Sequence, residues 1–166
     1  KYAEEPVSDR EFTALALKLF RFQFRNNLNY RKFCLAAGKD PASVKRWQAI
    51  PAMPTAGFKE LVLTTFPSKK NVRIFKTSGT TGEQTGVHFF DTLTLYDAAV
   101  VPAFKRYLLP DIKASSGSKP NTEALLFCYL VESPKSSPQS SLSYMIGVID
   151  KKFAKGRGRY FIRGSK

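Results

Sequence analysis

Acidic residues are scarce in this chain. Thirteen Asp and Glu stand against 27 Lys and Arg, a net charge of +14. The excess suits anionic partners: nucleotides, nucleic acids or acidic lipid surfaces. Its basic residues run through the whole chain, with a modest concentration from Lys151 to Lys166. A solvated surface is therefore the simpler reading, and a working anion-binding face the sharper one. Cysteine is equally rare. Cys34 and Cys128 lie far apart in apolar segments and form no CxxC pair, which argues against a zinc or redox motif. They read as two buried thiols in a reducing compartment, so a cytoplasmic location is the default expectation. No apolar run approaches the roughly 20 residues that a membrane-crossing helix needs. The first apolar stretch is interrupted by Lys18, Arg21 and Arg25, so it does not read as a signal peptide. The first residue is Lys1 rather than Met, and the last four follow directly on an apparent strand. Both ends read as cut, and an N-terminal fragment is expected.

What is present is an ordinary globular balance, 43% hydrophobic and 24% charged over 166 residues, enough for one domain with a core. The expected layout is a single domain over 1–166, mostly helical over 1–66 and α/β over 67–166. Ser8 and Glu11 have capping-box spacing. Phe12, Leu15, Leu19 and Phe22 follow at helical intervals and predict an amphipathic helix with a core-facing stripe. A second helix carries Tyr30, Phe33, Cys34 and Ala37 on one face and stops at Gly38. Asp40-Pro41 predicts a short helical restart. Trp47 to Pro54, with two prolines three apart, predicts an extended path anchored by Trp47 and Met53. Thr55 is expected to cap a helix through Phe58, Leu61 and Val62.

Val72-Arg73-Ile74-Phe75 and Gly86-Val87-His88-Phe89-Phe90 predict the two strands of a hairpin. Asp91 is expected to cap a long helix whose face carries Leu93, Tyr96, Val100, Phe104 and Leu108, ended by Pro110. Residues 113–122 read as a connection. The apolar run Ala124 to Val131 reads as a strand buried on both faces. After a second loop, Ser141 opens a helix through Leu142, Met145, Ile146 and Ile149 that ends by Gly156. Arg159 to Arg163 reads as a strand. Strand, helix, strand in that order favours a parallel pair and an α/β class.

Between the two hairpin strands lies Thr77-Ser78-Gly79-Thr80-Thr81-Gly82. Glycines let a backbone approach an anion closely, and successive N–H groups can form a nest around phosphate oxygens. The Ser and Thr hydroxyls add neutral donors. This is neither a Walker A loop, since Glu83-Gln84-Thr85 follows Gly82, nor a dinucleotide fingerprint, since the spacing GxGxxG is absent. Taken by composition alone, the segment also fits an ordinary Ser/Thr/Gly turn.

The ordered string resembles the phosphate loop of the adenylate-forming superfamily, which includes acyl-CoA synthetases, luciferases and peptide-synthetase adenylation domains. Those enzymes carry a lysine a few residues past the second glycine, where this chain has Gln84 and Thr85. Together with Trp47, Ile50-Pro51, Met53-Pro54, Phe58-Lys59, Phe75-Lys76, Tyr96 and Ser140-Ser141-Leu142-Ser143-Tyr144-Met145, the loop looks like the acyl-protein synthetases of the bacterial bioluminescence fatty-acid reductase system. The resemblance spans about residues 45–150 and implies the N-terminal part of the large domain of such an enzyme. It implies ATP and Mg²⁺ as cofactors, and a fatty or other carboxylic acid as substrate. An acyl-adenylate would form with release of pyrophosphate, and the acyl group would pass to an enzyme thiol and then to an acyl-accepting reductase or carrier. Ser78, Thr80 and Thr81 would donate to phosphate, Gly79 and Gly82 would allow close approach, and Thr77 would shape the loop. The family's acceptor cysteine lies near its C-terminus, and neither Cys34 nor Cys128 matches that place. The later catalytic elements also lie past Lys166, so the fragment is expected to be inactive alone.

His88 is the sole histidine. Its strand position favours a structural or solvent-exposed role, whereas the resemblance implies a substrate-facing one near the acyl pocket. Two rival functions remain. One is an acyl- or aryl-CoA ligase, which shares the activation step and differs only in acceptor. The other is a non-catalytic nucleic-acid module, in which Lys151, Lys152, Lys155, Arg157, Arg159 and Arg163 interleave with Phe153, Tyr160 and Phe161. No helix-turn-helix, zinc-knuckle or RNP pattern supports the second, so nucleic acid is not the expected partner.

Overall fold

The computed structural model describes residues 7–77, 85–110 and 125–162. Helices and two small sheets alternate along the chain, a mixed helix-and-sheet class. The chain divides at Thr92/Leu93 into two units.

The first unit opens with α1, Asp9–Asn26. Ser8 Oγ accepts from the Glu11 amide at 3.2 Å, while Glu11 Oε2 accepts from the Ser8 amide at 3.1 Å, the reciprocal box that the spacing predicts. The Ser8 amide and hydroxyl both donate to Glu11 Oε2 and hold that carboxyl below its usual range. Buried Asn27 ends α1 and starts α2, Leu28–Ala36, its Oδ1 accepting from the Tyr30 amide at 3.1 Å. Past Ala37 the helix closes as a Schellman turn. Lys39 donates to the Cys34 carbonyl and Gly38 to that of Leu35, with Gly38 at φ +66°.

The core of this unit gathers Phe20, Cys34 and Val44, with Leu17, Phe24, Tyr30, Phe33 and Ile50 packed around them. This corrects the expected stripe. Phe12, Leu15, Leu19 and Phe22 face away from the core, Leu19 being 54% exposed. Because α1 carries apolar residues on opposite sides, helical spacing alone does not say which side is buried. Phe12 instead meets Trp47 edge-on, ring centroids 5.3 Å apart, and Trp47 Nε1 donates to Asp9 Oδ1 at 3.0 Å.

Asp40-Pro41 gives one turn rather than a helix. Asp40 Oδ1 accepts from the amides of Ala42 and Ser43, and the Val44 amide reaches the Asp40 carbonyl. Trp47–Ala49 forms a 3₁₀ turn before the extended Ile50–Pro54 path. The next helix, α3, is only Gly57–Glu60. Thr55 does not cap it, since the chain turns through Pro54 to Ala56 by backbone bonds, and Leu61 and Val62 lie beyond its end, exposed. Strands β1 (Arg73–Lys76) and β2 (Val87–Phe90) pair antiparallel, Phe75 opposite His88 and Lys76 opposite Val87, as the hairpin reading requires.

In the second unit α4 runs Thr94–Leu108 with Leu93, not Asp91, at its N-cap position and no side-chain capping bond there. Tyr96, Val100 and Phe104 are half-buried, and Leu108 is exposed. The linker over 113–122 and Ala124 lie outside the described residues. The apolar run before Val131 is not a strand buried on both faces. Only Cys128–Tyr129 (β3) is extended and paired, while Leu126 and Leu130 are exposed. Successive side chains on a strand point to opposite faces, and here Tyr129 takes the buried face. Cys128 is on the open one, so only Cys34 is a buried thiol.

Ser140 Oγ accepts from the Ser143 amide at 3.1 Å and caps α5, Ser141–Ile149, which continues as a π-helix over Asp150–Ala154 and ends at Lys155-Gly156 with both φ positive. Arg159–Tyr160 (β4) then pairs with β3 in parallel, Cys128 opposite Arg159 and Tyr129 opposite Tyr160. The strand–helix–strand reading holds. Arg163, its expected last residue, lies outside the described residues.

Candidate functional site

The hairpin presents the loop expected to hold phosphate. Ser78, Gly79, Thr80, Thr81 and Gly82 lie outside the described residues, so the geometry concerns the base from which they spring. That base is fixed by one residue pair. The Thr77 amide donates to the Gly86 carbonyl at 2.9 Å, and the Gly86 amide donates to Thr77 Oγ1 at 2.8 Å. A side-chain oxygen thus takes part in the last rung of the ladder, directly past Lys76 and Val87. A Cβ on Gly86 would lie 3.2 Å from Thr77 Oγ1, a tight contact that the Thr77 side chain would have to yield to, and at ordinary contact distance, 3.5 Å, from Phe58 Cβ. Thr77 Oγ1 thus accepts from the Gly86 amide at the foot of the loop.

His88 sits half-buried on β2, with its ring over Phe58 of α3 at 4.6 Å between centroids and an interplanar angle of 32°. Phe75, fully buried on β1, meets Phe90 edge-on at 5.3 Å. The His88–Phe58 contact braces the hairpin against α3, and the Phe75–Phe90 contact joins its two strands. His88 is thus held on a packed strand by its contact with Phe58. Neither strand carries an acidic side chain, and Lys76 is exposed next to the loop. Among the described residues no three His, Cys, Asp or Glu side chains converge as a metal group.

The second unit has a polar centre that sequence reasoning missed. Asp150, 8% exposed, accepts from the Tyr129 hydroxyl at 3.1 Å and from the Gly158 amide at 2.9 Å. Burial, then the Asp150 charge, push the Tyr129 phenol above its usual range, and the same two causes raise Tyr160. Gly158 is needed at this contact, since a Cβ there would fall 2.2 Å from Tyr129 Cε2 and 2.4 Å from Asp150 Oδ1. The signal was available as an Asp at a helix end followed by two glycines within eight residues, but nothing local names its partner across the strand pair. Nearby, Tyr96 donates to the Ser141 carbonyl at 2.9 Å, and Tyr144 donates to Asp97 Oδ1 at 2.9 Å. The residues that suggested Tyr96 and Ser140–Met145 as family features thus form one packed cluster on α4 and α5.

The basic tail is only partly exposed. Lys151, Lys152, Arg157 and Arg159 are exposed, and Phe161 is 58% exposed. Phe153 is buried, with its ring on Phe104 at 5.2 Å, and Tyr160 packs on Tyr129 at 4.9 Å. Two of the three aromatics counted as stacking platforms are thus engaged in packing. No helix is long and apolar enough to cross a membrane among the described residues. No family model, curated protein or solved structure matches the chain.

Proposed function

We propose that this chain supplies the ATP phosphate-binding loop of an adenylate-forming enzyme. That enzyme activates a carboxylic acid, in the acyl-protein synthetase manner a fatty acid, for transfer to a thiol. The observation that carries this reading is the hairpin base: a Ser/Thr/Gly loop whose two ends are clamped by the Thr77–Gly86 pair, on strands free of acidic side chains. A clamp of that kind fixes where the loop amides begin and end, which lowers the ordering cost when phosphate binds. The carboxylate of the acid would attack the α-phosphorus of ATP, forming the acyl–phosphate bond as the bond to pyrophosphate breaks. Loop amides and the hydroxyls of Ser78, Thr80 and Thr81 would hold the β- and γ-phosphates during that displacement. Mg²⁺ would arrive on the nucleotide and neutralise phosphate charge. A CoA ligase would use the same step, and the acceptor distinguishes the two.

The test is calorimetric titration of MgATP into the chain and into a Thr80→Ala/Thr81→Ala variant, with a DNA oligonucleotide as control. Saturable MgATP binding that the double substitution weakens about tenfold or more is expected. Equal affinity in the two proteins, or binding of the oligonucleotide alone with steep salt dependence, overturns the reading.

A further inference from the structure

Helix α1 keeps its second apolar row in the open. Phe12, Leu15, Leu19 and Phe22 recur at three- and four-residue steps, so they line one side of the helix over about 15 Å. Each is between 37% and 54% exposed. The Trp47 ring, itself 39% exposed, meets Phe12 and extends the row at that end. Exposed apolar residues scattered singly are ordinary, but a contiguous row of them marks a docking surface.

The charge around this row has one sign. Lys18 lies three residues past Leu15 and four before Phe22, and Arg25 lies three past Phe22, so both exposed side chains flank the row. Between Glu11 and Asp40 the sequence holds Lys18, Arg21, Arg25, Arg31, Lys32 and Lys39 and no acidic residue. The two acids of α1 stand in its first turn, Asp9 accepting from Trp47 Nε1 and Glu11 from Ser8. Six basic residues without one acid favour an occupant that is anionic over its whole extent. Apolar side chains with aromatic rings at both ends of the row suit the boundary between headgroups and acyl chains. Long basic side chains beside them can reach back to the headgroups.

We propose that the first unit docks on an anionic membrane surface through this side of α1. Phe12, Leu15, Leu19, Phe22 and Trp47 enter the lipid, and Lys18 and Arg25 meet the headgroups. Among the described residues no helix is long and apolar enough to cross a membrane, so α1 lies along the surface. The proposal does not depend on the ATP reading.

The test sediments the 166-residue chain with vesicles of phosphatidylcholine alone and of equal parts phosphatidylcholine and phosphatidylserine. The chain should bind the anionic vesicles far more tightly than the neutral ones. Trp47 is the sole tryptophan, so its emission reports from the row itself. That emission should move to the blue on binding and be quenched by lipid brominated on its acyl chains. L19S/F22S, which leaves the charge unchanged, should weaken binding about tenfold or more. K18Q/R25Q should weaken it more than K151Q/K152Q does. Should L19S/F22S fail to fold, quenching of Trp47 in the parent chain still decides. Binding unchanged in L19S/F22S, Trp47 emission unmoved in the bound chain, or K151Q/K152Q costing as much as K18Q/R25Q overturns the proposal. So does equal binding to both vesicles, or binding to neither. Self-association that L19S/F22S abolishes, without vesicle binding, also overturns it and assigns the row to a second copy.

Discussion

The centre of the first unit is apolar, and that of the second is built around a charge. Phe20, Cys34 and Val44 meet with aromatic rings around them, Phe20 and Tyr30 at 6.3 Å between centroids. In the second unit Tyr129, Ile149, Phe153 and Ala154 are buried alongside Asp150 and Ser143. Apolar packing is non-directional, so it tolerates changes that keep volume and punishes those that leave a hole. A buried carboxylate with two donors is directional, so it punishes any shift of the donors. The two units should therefore fail in different ways.

The largest effect expected is from emptying the apolar centre. Phe20→Ala should cost about 4 kcal/mol in denaturant unfolding, whereas Leu19→Ala, one residue away on the exposed side, should stay within about 0.5 kcal/mol. If the two substitutions cost the same, the assignment of the buried side of α1 is wrong. Next, Gly158→Ala adds one methyl group where Tyr129 and Asp150 already stand, and should cost about 3 kcal/mol although it removes nothing. A neutral Gly158→Ala would erase the contrast between the units. Smallest is the acid limb of the first unit. The Asp40 carboxyl is held below its usual range chiefly by its hydrogen bonds from Ser43. A depressed folded value means the contribution is present above the unfolded pKa and lost as pH falls through the folded one. Asp40→Asn should therefore flatten the fall of melting temperature below about pH 4 and change little at neutral pH. A variant whose acid limb matches that of the parent chain would show that this turn contributes nothing.

Features specified within a few residues were legible in the sequence. The Ser8–Glu11 box, the Gly38 stop, the 72–90 hairpin and the helix opened by Ser141 each carry their partner nearby, as capping and turn chemistry require. The parallel pairing of β3 with β4 followed from element order. What failed depended on distant contacts. Thr55 and Asp91 have capping chemistry, yet the chain enters α3 and α4 by other geometry. The apolar run before Val131 suggested a fully buried strand, but the pairing available to it is two residues long. Cys128 lies on the open face of that strand, the one opposite the buried Tyr129. For the loop, sequence offered Thr77 as its first residue, and the structure shows its hydroxyl at the base of the hairpin. The clamp partner Gly86 was read only as a strand residue, because a hydroxyl replacing a backbone acceptor has no sequence signature.

The central claim is that the hairpin loop receives nucleotide phosphate, and amide-resolved NMR of the ¹⁵N-labelled chain during MgATP titration tests it most directly. The account predicts saturable shifts concentrated at Lys76, Thr77, Gly86 and Val87 and through the intervening loop, with the amides around Phe20 and Tyr129 unmoved. Shifts confined to Lys151–Arg159, or a spectrum unchanged at saturating MgATP, would contradict it.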